Sequence, residues 1–330
     1  MMQRYEMTRL VSAIGGALLL LGCGAEAGQG ESDRGATPTR AVPRPSLAES
    51  FIDAGPSLGH VHGMSYAADG SLLLVGTHTG LIMLHPDGRW QRDEEVYHDL
   101  MGFVGVSDGY LSSGHPSPGS GLPNPLGIVR GDLDVPGVRG LAFIGESDFH
   151  LMAAAYYDHT LYVANPGRNS VISAGLWYTS DGTKSWNRSE LRGLDGSLLA
   201  MAVHPTEPRT ITIATTTGLY RSDDSGDSFT PIEQARFDAS SPPAALAFAP
   251  SGAELVVAGT AIQRLPSRDG QAEMMPAPAL EEGDRIVAIA VSPTDELHLA
   301  AATQAGDLYV TTDAGRAWTR RASRGVLNTQ

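Results

Sequence analysis

One cysteine, Cys23, occurs in the chain of 330 residues, so no disulfide can form within a single chain. Aromatic residues make up only 6% of the sequence. Basic residues are also few, since 23 Lys and Arg stand against 37 Asp and Glu, giving a formal charge of −14. Phosphate backbones need a basic surface, so this charge excludes a nucleic-acid partner. The fold must be held together by packing alone.

A membrane-spanning helix is not predicted, because the apolar run 10–21 is shorter than the ~20 residues that a bilayer requires. Arg4 and Arg9 precede this run, which is typical of a signal peptide over residues 1–22. The run ends in Leu20-Leu21-Gly22-Cys23, which resembles the bacterial lipobox, whose cysteine is lipidated after cleavage. The alternative for Cys23 is a buried free thiol.

Residues 23–50 form a segment without aromatic residues, rich in Gly, Pro, Ser and charge. Such a composition cannot bury enough apolar surface to fold, so we interpret it as a disordered tether. A lipidated Cys23 would attach the chain to a membrane of the bacterial cell envelope through this tether, facing the periplasm or the cell surface.

Six repeats follow over residues 51–330, each with an apolar strand, a polar turn, a second apolar strand and a Gly-containing connection. The repeats begin near residues 62, 101, 150, 199, 244 and 287. A period of roughly 40–50 residues matches a four-stranded propeller blade. Helical periodicity of any length is absent. We therefore predict an all-β fold, a six-bladed β-propeller, with seven blades as the alternative.

Three repeats end in a turn of the form S/T-x-D-x-G-x-x-W/F, at 179–186, 222–229 and 311–318. The aspartate can accept backbone N–H groups inside the turn, and glycine provides a positive φ. In the first copy the glycine stands one place early, at Gly182, which makes its turn geometry uncertain. The residues expected to build these turns are Asp181, Trp186, Ser222, Asp224, Gly226, Phe229, Asp313, Gly315 and Trp318.

The turns resemble the Asp-box, or BNR-repeat, propeller superfamily, which includes sialidases and sortilin-type receptors. The string "HVHG … THTG … SGHP … DFH" is also similar to a group of bacterial Asp-box lipoproteins commonly labelled glycosyl hydrolases. The resemblance implies a structural role for the turns, on the outer part of each blade. It implies no particular catalytic residue.

Unusual polar residues recur at the start of the first three repeats. Aligning the first strands places His60, Asp99 and Asp148 at one position, and His62 and His150 two residues later. The ends of the second strands carry His78, His115 and Asn165. In an up-and-down blade these two places lie on the same face. We therefore predict one His/Asp-rich mouth of the central channel, whereas His159 and His204 fall in hairpin turns and are expected to face solvent.

Histidine and carboxylate clusters are typical metal ligands, and a mixed set suits zinc, copper, nickel or manganese. The predicted metal or ligand residues are His60, His62, His78, His115, Asp148 and His150. The leading hypothesis is a monomeric, membrane-tethered propeller that binds a metal ion, a small molecule, a glycan or an envelope protein at this mouth. A metal-dependent hydrolase would use the same histidines with an open coordination position.

A glycoside hydrolase is the other enzymatic alternative. It needs two carboxylates about 5–10 Å apart, a role that Asp99 and Asp148 could fill. A sialidase in particular needs three arginines around the substrate carboxylate. Only Arg285 occupies an inner-strand position, and the loose "RLP" element at Arg264 lies far along the chain. Sialidase activity is therefore not favoured.

Overall fold

Antiparallel β-sheets account for the folded part of the chain. The computed structural model describes residues 51–55, 57–235, 237, 242–266 and 270–328, so the predicted signal peptide, Cys23 and tether lie outside the described residues. All the sheets lie between Phe51 and Leu327. Within the described ranges six sheets form a ring. The prediction of a six-bladed propeller is confirmed, and the seven-bladed alternative is wrong.

Each blade is a meander whose strands follow one another in the chain, from the innermost strand outward. Blade 1 contains β2 (Val61–Tyr66), β3 (Leu73–Thr77), β4 (Gly80–Leu84) and β5 (Trp90–Asp93), with β1 (Phe51–Asp53) added at its outer edge. Blade 2 contains β6 (Asp99–Val106), β7 (Gly109–His115), β8 (Ile128–Asp132) and β9 (Val135–Ala142). Blade 3 contains β10 (Met152–Ala154), β11 (Leu161–Asn165), β12 (Gly175–Thr179) and β13 (Asn187–Arg188).

The second half of the ring repeats this plan. Blade 4 contains β14 (Leu198–Val203), β15 (Ile211–Thr215), β16 (Leu219–Ser222) and β17 (Thr230–Pro231). Blade 5 contains β18 (Ala245–Phe248), β19 (Glu254–Ala258), β20 (Ile262–Pro266) and β21 (Glu273–Met275). Blade 6 contains β22 (Ile286–Val291), β23 (Leu299–Thr303), β24 (Leu308–Thr311), β25 (Thr319–Ser323) and β26 (Val326–Leu327). No helix among the described residues is long and apolar enough to cross a bilayer.

Adjacent inner strands pack closely because glycines leave room between them. A Cβ added to Gly76 would lie 2.5 Å from the ring of Phe103 in the next blade, and one on Gly63 would lie 2.5 Å from the Phe103 carbonyl oxygen. Gly105 of blade 2 lies in turn under the side chain of Ser65. Side chains at these positions would separate blades 1 and 2, since packed interiors have no spare volume.

The ring closes without exchange of a strand between the first and last blades. β1 extends the outer edge of blade 1, and β26 extends the outer edge of blade 6. The amide of Leu58 donates a hydrogen bond to the carbonyl of Gly325 at 2.7 Å, and Ser57 bridges Val326. Buried residues of both blades, including Met64 and Ala288, share one apolar cluster. Apolar packing between blades 1 and 6, supplemented by both chain ends, therefore closes the ring.

The three S/T-x-D turns all form the same hydrogen-bonded loop. Asp224 Oδ1 accepts the Ser228 amide at 2.9 Å, and Asp313 Oδ1 accepts the Ala317 amide at 2.9 Å. Asp181 Oδ1 accepts the amides of Lys184 and Ser185, both at 3.0 Å. Hydrogen bonds from the Ser185 and Ser228 hydroxyls and backbone amides lower the pKa of Asp181 and of Asp224 to about 2.

The aromatic residue that ends each turn packs against the preceding blade. Trp318 Nε1 donates to the carbonyl of Pro276 at 3.0 Å, and the Trp186 ring lies 5.1 Å from that of Phe143. Phe229 is buried in a cluster with residues of blade 3. Each turn thus fastens its blade to the one before it.

The displaced glycine of the first turn leaves the loop geometry unchanged. Every turn contains two consecutive residues with positive φ, and in the other two copies the second is Gly226 or Gly315. In the first copy the second position is Thr183, with φ of 73°, while Gly182 occupies the first. A β-branched residue is strained in this region of φ. The hydrogen bonds of Asp181 therefore hold Thr183 in an unfavourable conformation.

Replacement of Thr183 by glycine should stabilise the protein by about 1 kcal/mol. The gain from removing the backbone strain in the folded state exceeds the loss caused by the greater conformational entropy of glycine in the unfolded chain. Urea unfolding of the Thr183→Gly variant measures this change. The matched control is Gly226→Ala, which should destabilise the protein, because a Cβ there would lie 2.8 Å from Ser189 Oγ. A Thr183→Gly variant that is less stable than the parent would show that the turn is not strained.

Candidate functional site

β-Bulges in the inner strands change the direction of side chains at the predicted mouth. In blade 1 the pairs Val61–Thr77 and Gly63–Gly76 leave His62 unpaired between them. Leu199 and Val287 hold the same unpaired place in blades 4 and 6, and blade 2 has its irregularity between Asp99 and Gly102. A bulged residue bends the strand and re-aims its side chain. The side chain of His62 therefore does not follow the alternation of side chains between the two faces of the strand.

The central channel contains a cavity of about 260 Å³, lined by the inner strands of all six blades. Most of the residues that line it have apolar side chains. The lining residues include His62, Met64, Phe103, His150, Met152, Leu199, Met201, Ala244, Leu246, Val287 and Ile289. Imidazoles enter this wall from blades 1 and 3 only.

The first group of polar side chains, the inner triad, consists of His62, His78 and Asp99. His62 Nε2 lies 3.2 Å from His78 Nδ1, and His78 Nδ1 lies 2.8 Å from Asp99 Oδ1. The third edge, from His62 Nε2 to Asp99 Oδ1, is 3.6 Å. Ligands held at 2.0–2.2 Å around one metal ion are separated by about 3.0–3.4 Å. The three edges of the inner triad, 2.8–3.6 Å long, bracket this spacing, with the His78–Asp99 edge shorter and the His62–Asp99 edge longer.

The available protons do not satisfy the inner triad as a hydrogen-bond network. One N–H on His78 Nδ1 cannot point both at Asp99 and at His62, and a lone pair there would face the carboxylate. Burial is the main cause that lowers the pKa of His62 to about 4, with the charge of His78 as the second cause. The His62 imidazole is thus uncharged at neutral pH and can act as a metal ligand. A cation between the three atoms would satisfy all of them at once.

The second group, the outer triad, consists of His115, Asp148 and His150. Asp148 Oδ2 lies 2.5 Å from His150 Nε2 and 3.3 Å from His115 Nε2. On its other side, His115 Nδ1 lies 2.8 Å from Asn124 Oδ1, an atom of the β7–β8 loop. The side chains of His115 and His150 are 46% and 61% exposed, against 10% for His62, so this triad is the more open of the two.

The structure brings all six predicted metal or ligand residues into these surroundings. His60 belongs to no ion pair but stacks against the inner triad, with its ring centroid 5.1 Å from His62 and 5.6 Å from His78. Asp99, predicted to lie at this mouth and to be a glycosidase carboxylate but not named among the metal residues, is a full member of the inner triad. The sequence reasoning missed Asn124, whose position in a Pro- and Gly-rich loop carried no signal.

Two other residues have structural roles that differ from the expectation. The side chain of Asn165 is buried and donates to the carbonyl of Ser173 at 3.0 Å, so it shapes the β11–β12 loop instead of pointing into the mouth. His204 was expected in solvent, yet it is buried and its Nε2 lies 3.0 Å from the Gly252 carbonyl oxygen in the neighbouring blade.

No family model matches the chain, and no curated protein sequence matches it. Solved structures that share the fold include a GH74 enzyme from Niastella koreensis, with a TM-score of 0.52 and 14% identity over 82% of this chain and 47% of that one. The extracellular domain of BT4673 from B. thetaiotaomicron gives 0.51 and 16% over 83% and 35%. The β-propeller domain of Cps50 (Swd1) from Myceliophteria thermophila gives 0.50 and 14% over 84% and 87%.

At these identities the likeness shows the propeller fold alone. The chain spans less than half the length of the first two proteins. What the mouth can bind therefore depends on the residues of this chain.

In the metal-free protein, His62 should remain unprotonated until the pH approaches 4. Between about pH 6.5 and pH 4 the unfolded chain binds a proton at this residue and the native state does not, so stability falls as pH falls through this window. Urea unfolding after chelation, at pH 7 and pH 5, should show a larger loss for the parent than for His62→Gln. Equal losses in both proteins would contradict the assigned environment of His62.

Proposed function

We propose that this protein binds one divalent transition-metal ion at the inner triad, at the mouth of the propeller channel. The observation that carries the proposal is the convergence of three ligand atoms, from His62, His78 and Asp99, within 3.6 Å of one another. They come from the first strand of blade 1, the β3–β4 turn and the first strand of blade 2. Close packing of the two blades holds them in place.

The donor set limits the choice of metal. Two imidazoles and a carboxylate suit zinc, nickel, manganese or copper(II), whereas calcium and magnesium prefer oxygen ligands only. Three protein ligands leave at least one coordination position for water or a ligand, because structural zinc sites use four. His78 is 46% exposed, so that position can be reached from solvent. His60 stacks beside the triad and is within reach as an additional ligand.

Binding is better supported than catalysis of glycoside hydrolysis. Asp99 and Asp148 each lie against two imidazoles, an arrangement more typical of a metal site than of the two carboxylates of a glycosidase. The described cavity wall contains no tryptophan for stacking on a sugar ring. Trp90 and Trp177 belong to outer or third strands, and Trp186 and Trp318 belong to the Asp turns. A metal-dependent hydrolase stays compatible with the open coordination position.

The cellular setting is part of the same proposal. The signal-like segment and Cys23 support export and lipid anchoring, so that the propeller would present its metal site in the bacterial envelope. An acidic surface, with a formal charge of −14, favours cations over anionic partners.

The purified full-length chain should bind one zinc, nickel, manganese or copper(II) ion per molecule at the inner triad. Replacing Asp99 by asparagine and His62 by alanine removes two of three ligands and should reduce affinity by more than 100-fold, since even outer partners of metal ligands contribute 10- to 100-fold. Equilibrium dialysis with elemental analysis measures both quantities.

His298→Ala is the matched control, because His298 forms a comparable exposed pair with Asp295 at 3.3 Å, far along the chain in the β22–β23 turn. It should leave binding unchanged. Binding of none of the four metals above background would refute the proposal. Cleavage of aryl glycosides that is lost in Asp148→Asn would replace it with the hydrolase alternative.

A further inference from the structure

We propose that the outer triad is a second metal site, so that the mouth holds two ions in separate positions. This proposal goes beyond the one at the inner triad and does not require the inner triad to be occupied. It places a transition-metal ion on Asp148, with His115 Nε2 and His150 Nε2 as further ligands. These atoms are spread more widely than those of the inner triad, so the imidazoles would turn toward the ion on binding.

The contact of His115 with Asn124 fixes which of its nitrogens is free. Asn124 Oδ1 can only accept a hydrogen bond, so His115 Nδ1 carries the proton and Nε2 has a lone pair. That lone pair faces Asp148 Oδ2 at 3.3 Å. In the neutral form of His115, two acceptors face each other at this distance, and either a metal ion or a second proton between them would remove the repulsion. An outer oxygen that fixes the imidazole tautomer is also what metal-bound histidines ordinarily have.

Asp148 has bonding capacity that the described residues do not use. Its Oδ1 is buried and has no hydrogen-bond partner among them, while Oδ2 lies against both imidazoles. A buried carboxylate oxygen without a partner is unfavourable by about 1–3 kcal/mol. A cation bound to the carboxylate would remove this penalty.

The outer triad also opens onto a space of its own. A cavity of about 450 Å³ lies between the β9–β10 and β11–β12 loops and is lined by Asp148, His150, Glu146, Asn165 and Arg168. His150 lines both this cavity and the channel, so the two positions are adjacent but distinct.

Two dications at adjacent positions repel each other. His62 of the inner triad and His150 of the outer triad line the same channel. The second ion should therefore bind more weakly than the first, and the more exposed outer triad should be the weaker position. We therefore expect the outer ion to exchange readily and the inner ion to stay bound.

Zinc titration of the full-length, chelator-treated chain by calorimetry tests this proposal. The parent should bind two ions, with dissociation constants at least tenfold apart. Asp148→Asn and His115→Ala should each leave one ion, with the tighter constant unchanged. Asn124→Ala should keep both ions but weaken the second about 10- to 100-fold, because it removes only the residue that orients His115.

Different variants remove the two proposed sites, so each proposal can be refuted without the other. A single ion that survives Asp148→Asn and is lost in Asp99→Asn would overturn the second site and keep the first. A single ion with the opposite response would keep the outer site and refute the inner one. His298→Ala should bind two ions, and thermal melts of the metal-free variants should match the parent, which excludes loss through unfolding.

Discussion

The whole arrangement depends on how closely adjacent inner strands can approach each other around the axis. Phe103 lies on Gly63 and Gly76, Met152 lies on Gly102, and Ser65 lies on Gly105. Each contact needs a residue without a side chain on one partner, and each fixes the height of one blade relative to the next. Since His62 and Asp99 belong to different blades, their 3.6 Å separation is a consequence of this packing. The relative positions of the site residues therefore depend on these glycine contacts.

The polar mouth is built by exceptions to the regular sheet. The bulge at His62 removes one residue from the pairing of β2 with β3, and a similar irregularity begins β6 after Asp99. The β3–β4 turn is short and presents His78, whereas the β7–β8 loop is long and presents Asn124 behind His115. Regular strands would direct neighbouring residues to opposite faces. Local irregularity therefore allows histidines and acids from three blades to meet.

Sequence reasoning predicted the fold and the composition of the mouth, because both follow from repetition. Once the first strands are aligned, His62 and His150 must share one level of the ring, and His78 and His115 must end second strands on the same face. Contacts that depend on loop conformation could not be predicted in this way. Asn165 ends a second strand as His115 does, yet its amide bonds to its own loop, and His204 in a hairpin turn is buried by the next blade. The division of the polar residues into two triads likewise depends on side-chain geometry, which an alignment of the repeats does not give.

Burial of His62 favours a metal ion over a proton as the cation that we propose for this mouth. A proton on His62 must be held in a half-buried place next to His78, and that environment lowers the pKa to about 4. A metal ion meets the same environment differently, because it uses the neutral imidazole and brings its charge into contact with Asp99 as well. Desolvation that opposes protonation therefore leaves the lone pair free for a metal at neutral pH.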